Sequence, residues 1–458
     1  MKLLNIVLII LLSFFFVEIS ILQVFADDPF FPKISSTPHP VGSGARSLGI
    51  GAFIAVADDA TSASWNPGAL VILEDTETSI VFEGIHKIDR IHFSPNSESN
   101  SFQSISEENI NFFSIAYPFT LINRNMIVSL SYQHLYDFNR EWSFPMKLIH
   151  EDIDAKLIID ENVNYEQSGR LSAIGLSYCI EIKPGLSFGF TLNFWDDNLT
   201  KNEWQEGYYI TGTDTIELPI DIPDLPEIPP GTFEYIDSHK YLLKGFNFNL
   251  GIYWAVNKKL ILGWVFKSPF TADIEHTSFS LINQAGFEED PIKIEYPGEE
   301  LDMPMSIGIG FSYKIKDNFK IAGDLYRTDW QDCTYKRSSG IEESSISGDR
   351  IGESDIDPTY QIRFGMEYRF ESPKKTHISI PVRTGIFYDP TPAVGNPDDY
   401  YGFNFGIGVN FLEKYIFDIA YRYRWGNNVG DSVIYNYPGD FSTDVSEYIM
   451  YSSLIVHF

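Results

Sequence analysis

The sequence predicts an all-β chain: a transmembrane antiparallel β-barrel of about fourteen strands. Three observations carry that expectation. Apolar residues alternate in segment after segment, as in "FNFNLGIYWAV" (246–256). There Phe246, Phe248, Leu250, Ile252, Trp254 and Val256 share one face, with Asn247, Asn249, Gly251, Tyr253 and Ala255 opposite. A period of two suits a strand with lipid on one side and a polar or mixed lumen on the other. Connections between such segments alternate between very short and long, as in barrels with tight inner turns and large outer loops. The chain closes on "MYSSLIVHF", with Phe458 in step with Val456 and Leu454, an ending like the carboxy-terminal signal of bacterial outer-membrane barrels. A soluble sandwich also alternates, so the connections, the terminal pattern and aromatic strand ends such as Tyr421, Tyr423 and Trp425 decide.

In chain order, residues 1–26 read as a secretory signal peptide. Lys2 supplies the positive end, Leu3 to Val17 the apolar run, and Val24-Phe25-Ala26 gives small residues at the −3 and −1 positions, so the mature chain is expected to begin near Asp27. Glu18 interrupts the apolar run and no basic stop-transfer cluster follows, which disfavours a membrane anchor. Residues 27–75 form a separate amino-terminal unit ahead of a barrel over 76–458. Strands are expected at 77–86, 109–119, 125–142, 163–182, 186–205, 238–256, 260–281, 299–315, 319–336, 356–370, 376–388, 401–413, 415–426 and 445–458. Short turns fall at Lys183-Pro184-Gly185, Asn257-Lys258-Lys259, Lys316-Asp317-Asn318 and Glu413-Lys414. Long loops fall at about 87–108, 143–162, 206–237, 282–298, 337–355, 389–400 and 427–444. With the amino terminus in the periplasm, parity places every long loop outside the cell.

Composition narrows the function. A net charge of −30 and a pI near 4.5 argue against nucleic acid, whose phosphates need clustered Lys and Arg. Cys179 and Cys333 lie in separate strands and are expected to be free. There is no Gly-x-Ser-x-Gly elbow, His-Glu-x-x-His, phosphate loop or cysteine metal pattern, so catalysis, a cofactor and a metal are not expected.

Several stretches resemble one known family, the FadL/TodX outer-membrane transporters of long-chain fatty acids and other hydrophobic compounds. They are "GARSLGIGAFIAVADDATSASWNPGALV" (44–71), "GFNFNLGIYWAVNKKLILGWVFKSPF" (245–270), "LDMPMSIGIGFSYKIKDNFKIAGDLYRTDW" (301–330), "VRTGIFYDPTPAV" (382–394) and "YGFNFGIGVNFLEKYIFDIAYRYRW" (401–425). The resemblance implies a fourteen-stranded barrel with an amino-terminal plug, or hatch, inside it, located in the outer membrane of a Gram-negative bacterium. It also implies passive uptake of hydrophobic molecules, long-chain fatty acids or hydrocarbons, by a monomer surrounded by lipid and lipopolysaccharide. Relatives on the same barrel serve protein secretion, which is the alternative. A general porin and a surface adhesin are further rivals.

The plug unit carries "SASWNPGALV" (62–71). Asp58 or Asp59 can cap a short helix, Asn66 before Pro67 should end it, and Gly68 can redirect the chain through a positive φ. The resemblance makes Asn66, Pro67 and Gly68 part of a plug gate, with Gly68 where the family usually has alanine. A rigid turn with no part in gating is the plain alternative. In 206–237, Ile210, Leu218, Ile220, Ile222, Leu225 and Ile228 interleave with acidic residues (Glu206, Asp214, Glu217, Asp221, Asp224, Glu227 and Glu234 among them) and suit capture of a greasy ligand, or else simply an acidic shield. Ser268-Pro269 should kink or end a strand. His134 breaks the outward series Val128, Leu130, Tyr132, Tyr136 and Phe138. With Asp137 it marks the place where the resemblance implies an inward kink and a lateral exit, unless it is an interface histidine. Inward Arg363, Arg369, Arg422 and Arg424 are expected to pair with acids such as Glu367 and Asp418.

Overall fold

Fourteen antiparallel strands close into a ring in this computed structural model, which describes residues 42–56, 58–94, 97–151, 156–217, 230–284, 287–288, 290–371, 378–431 and 440–458. The strands are β1 (Glu77–Ser94), β2 (Ser101–Leu121), β3 (Arg124–Asp137, resumed at Arg140–Glu151) and β4 (Lys156–Lys183). Then come β5 (Leu186–Trp195, resumed at Asn202–Glu217), β6 (Gly231–Ala255), β7 (Leu260–Lys267, resumed at Phe270–Gln284) and β8 (Ile292–Met303, resumed at Ser306–Lys316). The ring continues through β9 (Phe319–Thr328), β10 (Thr359–Glu371), β11 (Ile378–Tyr388), β12 (Tyr401–Phe411), β13 (Tyr415–Val429) and β14 (Asp440–His457). Each strand pairs with the next, and β14 returns to β1 in unbroken register from Glu77↔His457 to Ser94↔Asp440. Closure leaves no unpaired edge, the condition for a sheet to cross a bilayer.

The wall follows from the alternation. Along β12, Phe403, Phe405, Ile407 and Val409 are exposed outward while Gly402, Asn404, Gly406 and Gly408 are buried inward. The same outward band includes Leu130, Trp254, Ile309, Ile362, Phe417 and Leu454. An apolar belt around a ring suits lipid and would aggregate in water, which removes the sandwich reading. Phe458 donates its backbone N–H to Thr76, so the terminal motif fastens the closing seam. At Ile122-Asn123 both residues have positive φ, 53° and 54°, the backbone of a two-residue type I′ hairpin, and Leu412-Glu413, both at 60°, open a three-residue turn between Phe411 and Tyr415.

All fourteen expected strands are present, but several run further than expected. The expected loops 87–108 and 143–162 are largely strand: β1 pairs with β2 out to Ile91↔Ser101, and β3 with β4 out to Glu151↔Lys156. In β4 the ladder spans 28 residues, against the ~9–11 needed to cross hydrocarbon. Hydropathy reports only the lipid-facing band. Beyond it both faces turn polar, the signal fades, and the backbone ladder continues. Strand β7 breaks at Ser268-Pro269, as expected. There the Ser268 hydroxyl accepts from Phe248 N–H at 3.1 Å in place of a ladder partner.

Inside the ring lies the amino-terminal segment 42–73, with α1 (Ala45–Ile50), α2 (Ser62–Trp65) and a 3-10 turn (Pro67–Ile72), almost wholly buried. Above it, among the described residues, the lumen holds two more large apolar clusters and a small one of Tyr400, Val429 and Val445. Three groups therefore succeed one another along β4: Val163 and Tyr165, then Leu171 and Ala173, then Cys179 beside the segment. At ~3.3 Å per residue this covers roughly 50 Å of strand, more than the hydrocarbon thickness of ~30 Å. Cys179 and Cys333 are free and buried in different groups. The signal-peptide reading lies outside the described residues.

Candidate functional site

The Asn66-Pro67-Gly68 turn is locked to the barrel wall. Helix α2 ends at Asn66, whose φ of −123° and ψ of 88° place it outside the helical region, as a residue before proline should be. Its side-chain amide donates to Ile54 O at 2.7 Å and to Ile252 O on β6 at 3.0 Å, while its oxygen accepts from Gly68 N–H at 3.1 Å. One side chain thus joins two parts of the segment to the wall and caps the 3-10 turn that Pro67 begins. Gly68 does not use a positive φ, contrary to expectation. It is small because the wall is close: a Cβ there would lie 2.7 Å from Gly251 O. Reciprocally, a Cβ at Gly251 would sit 2.1 Å from Asn66 Oδ1, and one at Gly189 2.3 Å from Pro67 O. The carbonyl of Gly68 accepts from Ser187 Oγ at 2.6 Å, and that of Ala63 from Thr191 Oγ1 at 2.7 Å.

Asp59 holds the start of this stretch. Its carboxylate accepts from the backbone N–H of Thr61 at 2.9 Å and from the Thr61 hydroxyl, ahead of the helix rather than at its cap. Burial pushes the Asp59 carboxyl up to about 6, the Glu77 carboxylate adds to the rise, and Thr61 and Arg46 oppose it.

The other end of the segment is tied by charge. Arg46 of α1 pairs with Asp58 and, at 3.2 Å, with Glu367 on β10; Glu367 also takes Arg383 at 2.7 Å and Lys320 at 3.2 Å. Arg383 continues to Asp418. The expected arginines do find acids, though Arg363 and Arg422 both meet Asp389, at 3.6 and 2.5 Å. Arg369 is the outlier, 3.9 Å from Glu367 and substantially exposed. Lys267 differs from all of these. Its amine lies over the Trp65 ring at 4.6 Å and near Tyr326 at 5.9 Å, with no ion-pair partner among the described residues. No local spacing distinguishes Lys267 in the sequence.

Strand β3 is interrupted between Asp137 and Arg140, the place His134 and Asp137 mark. A register shift lies between His134 and Tyr136, and His134, at its edge, is 4% exposed and does not belong to the outward series. Phe138 of that series is likewise buried, at 1%, against Trp204. A bulge adds one residue and reverses the facing of the residues after it, which alternation counted from Val128 cannot see. His134, Leu135, Tyr136, Asp137 and Asn139 line a small cleft of about 30 Å³ with Glu83 of β1.

Aromatic side chains lead to this break. The outer cluster sets Trp142 5.6 Å from Tyr165 and 5.2 Å from Phe441, with Tyr208 4.7 Å from Tyr165. Ile210 belongs to it, buried at 1% on β5 rather than in a loop. Leu218, Ile220, Ile222, Leu225 and Ile228 lie outside the described residues. The middle cluster stacks Trp204 on Tyr241 at 4.8 Å and Trp195 on Phe270 at 5.7 Å, and includes Leu135 and Phe138 from the break. The inner cluster holds Phe53 stacked on Trp65 at 4.7 Å.

The family model described as "Outer membrane protein transport protein (OMPP1/FadL/TodX)" matches residues 43–433. A search of curated proteins finds no match. Among solved structures, a Pseudomonas aeruginosa FadL homologue is 12% identical with a TM-score of 0.55, covering 92% of this chain and 100% of its own. A TodX monoaromatic hydrocarbon channel mutant is 12% identical with a TM-score of 0.58, covering 91% and 99%. The CymD monoaromatic hydrocarbon channel is 14% identical with a TM-score of 0.52, covering 92% and 99%. At these identities the structures establish a shared fold. The chain belongs to the OMPP1/FadL/TodX family of bacterial outer-membrane transport proteins, channels for hydrophobic compounds and not enzymes.

Proposed function

We propose that this barrel admits long-chain fatty acids or hydrocarbons by passive diffusion, and that each monomer is a complete channel. Its outer loops and outer aromatic cluster capture the ligand, and the aromatic clusters pass it down the lumen. Segment 42–73 serves as the plug, within an amino-terminal unit over 27–75. The ligand leaves through the break in β3. The observation that carries this reading is the run of aromatic clusters that meets the break at Leu135 and Phe138. Apolar walls of this kind favour a greasy molecule over a hydrated solute.

Lys267 supports a carboxylate on the ligand. Among the described residues this cation has aromatic rings as its partners, and it is set against Trp65, the residue next to Asn66. A headgroup drawn to Lys267 would press on Trp65 and strain the turn locked by Asn66. Three buried groups (Ile54 O, Ile252 O and Gly68 N–H) then lose their partner, at about 1–3 kcal/mol each. Ligand binding at one end of the turn thus opposes the seat at the other.

The test is uptake of labelled long-chain fatty acid by cells lacking their own transporter, expressing wild type or Asn66→Ala/Pro67→Ala at equal outer-membrane levels. Wild type is expected to restore saturable uptake and the double variant to lose it. Uptake that survives the substitution would reduce the motif to a structural turn. A folded wild type that admits neither fatty acid nor toluene would overturn the reading.

A further inference from the structure

We propose that Glu83, His134 and Asp137 form a binding site for one divalent transition-metal ion of the zinc type, facing the lumen beside the break in β3. One donor atom from each residue lies within 4.8 Å of the other two. His134 Nδ1 is 3.5 Å from Glu83 Oε1, close to the ~3.4 Å edge of a tetrahedron whose metal–ligand bonds are about 2.1 Å. The three side chains come from β1 and from both sides of the bulge in β3, so no short motif in the chain announces them.

The hydrogen bonding around these side chains points the same way. Each has one polar atom fixed by a hydrogen bond. Glu83 Oε2 accepts from Asn111 Nδ2 at 2.9 Å, His134 Nε2 donates to Tyr136 O at 3.0 Å, and Asp137 Oδ1 accepts from Asn139 N–H at 3.1 Å. Each also has one atom buried from solvent with no hydrogen bond: Glu83 Oε1, His134 Nδ1 and Asp137 Oδ2. Glu83 and His134 are each 4% exposed. Hydrogen bonds that orient a side chain and leave its other lone pair unpartnered are the arrangement metal sites use; Asp137 Oδ2 lies 3.8 Å from His134 on its Nε2 side, so this third donor stands at the edge of the site.

Chemistry favours an ion over a proton. With Nε2–H given to a carbonyl, neutral His134 presents a lone pair at Nδ1 directly to a carboxylate oxygen, so two acceptors face each other. A proton on Nδ1 would answer Glu83 and leave Asp137 Oδ2 still without a hydrogen bond. One divalent cation answers all three, and its two charges balance the two carboxylates around a neutral imidazole. One nitrogen and two oxygen donors suit zinc and its neighbours better than calcium, which prefers oxygen alone. The ion would tie β1 to the interrupted strand and hold the break closed. That consequence rests on the exit route proposed above, whereas the binding site does not.

The experiment therefore reads binding and flux separately. Purified barrel in detergent is stripped with chelator and titrated with Zn²⁺, and with Co²⁺ as a spectroscopic probe. One equivalent per chain is expected, with a visible ligand-field band for cobalt. Glu83→Gln and His134→Gln should each abolish the band. Asn111→Ala, which removes the bond to the second Glu83 oxygen and one to the Tyr451 hydroxyl, should weaken binding by roughly ten- to a hundredfold. Heat-modifiable migration in gels confirms that each variant is a folded barrel. No stoichiometric binding, or binding unchanged by Glu83→Gln and His134→Gln, overturns the site. Uptake unaffected by the metal, with binding intact, overturns its closing role and leaves the site standing.

Discussion

Lys267 separates the ligand classes at the scale of one residue. A hydrocarbon has nothing to offer its amine, whereas a fatty acid has a carboxylate. Lys267→Met keeps much of the side-chain length and removes the charge. It is expected to lower fatty-acid uptake several-fold at subsaturating concentration and to leave toluene uptake unchanged, measured side by side in the same cells. Equal loss of both would make Lys267 a packing residue. Gly68 shows how a residue can be placed correctly for the wrong reason. The sequence marks a small residue after Asn66-Pro67, and local reasoning assigns it backbone freedom. The structure assigns it clearance from Gly251 O, a contact made by a strand about 180 residues away along the chain. His134 is the converse case: its importance is legible as a break in a pattern, but its direction is not, because a bulge lies next to it.

At the scale of the element, the seat of segment 42–73 should depend on pH through Asp59. Its carboxyl titrates near 6 in the folded protein, against 3.8 ordinarily. The seated form therefore holds a proton that the released form gives up. Seating is strongest below about 4 and weakens as pH rises to about 6, with no further change from this group above that. Hydrogen-exchange protection of residues 44–73, corrected for intrinsic rates, should fall across that window. Asp59→Asn, which cannot ionise, should abolish the dependence. Protection that rises with pH would contradict the assignment. The strands themselves are legible from alternation in the lipid band and obscure beyond it, as β1, β3 and β4 show. Ile210 reads as loop for that reason: it sits where β5 has left the membrane but not the ladder.

For the whole molecule, the ring is legible because each strand carries its own period and the count must be even for a closed antiparallel barrel. The interior is not, since aromatic clusters and the meeting of Glu83 with His134 depend on which inward residues share a level. That is set by register and shear, which a single strand does not encode. The path is the central claim, and it is tested most directly by photo-crosslinking. Cells expressing the wild-type barrel take up a fatty acid bearing a diazirine near its tail, and the attachment points are mapped by mass spectrometry. Labels are expected in the outer cluster at Trp142 and Tyr165, in the middle cluster at Trp204 and Tyr241, and at the β3 break between Leu135 and Asn139. Labels that bypass the break and continue along segment 42–73 to the short-turn end would contradict a lateral exit.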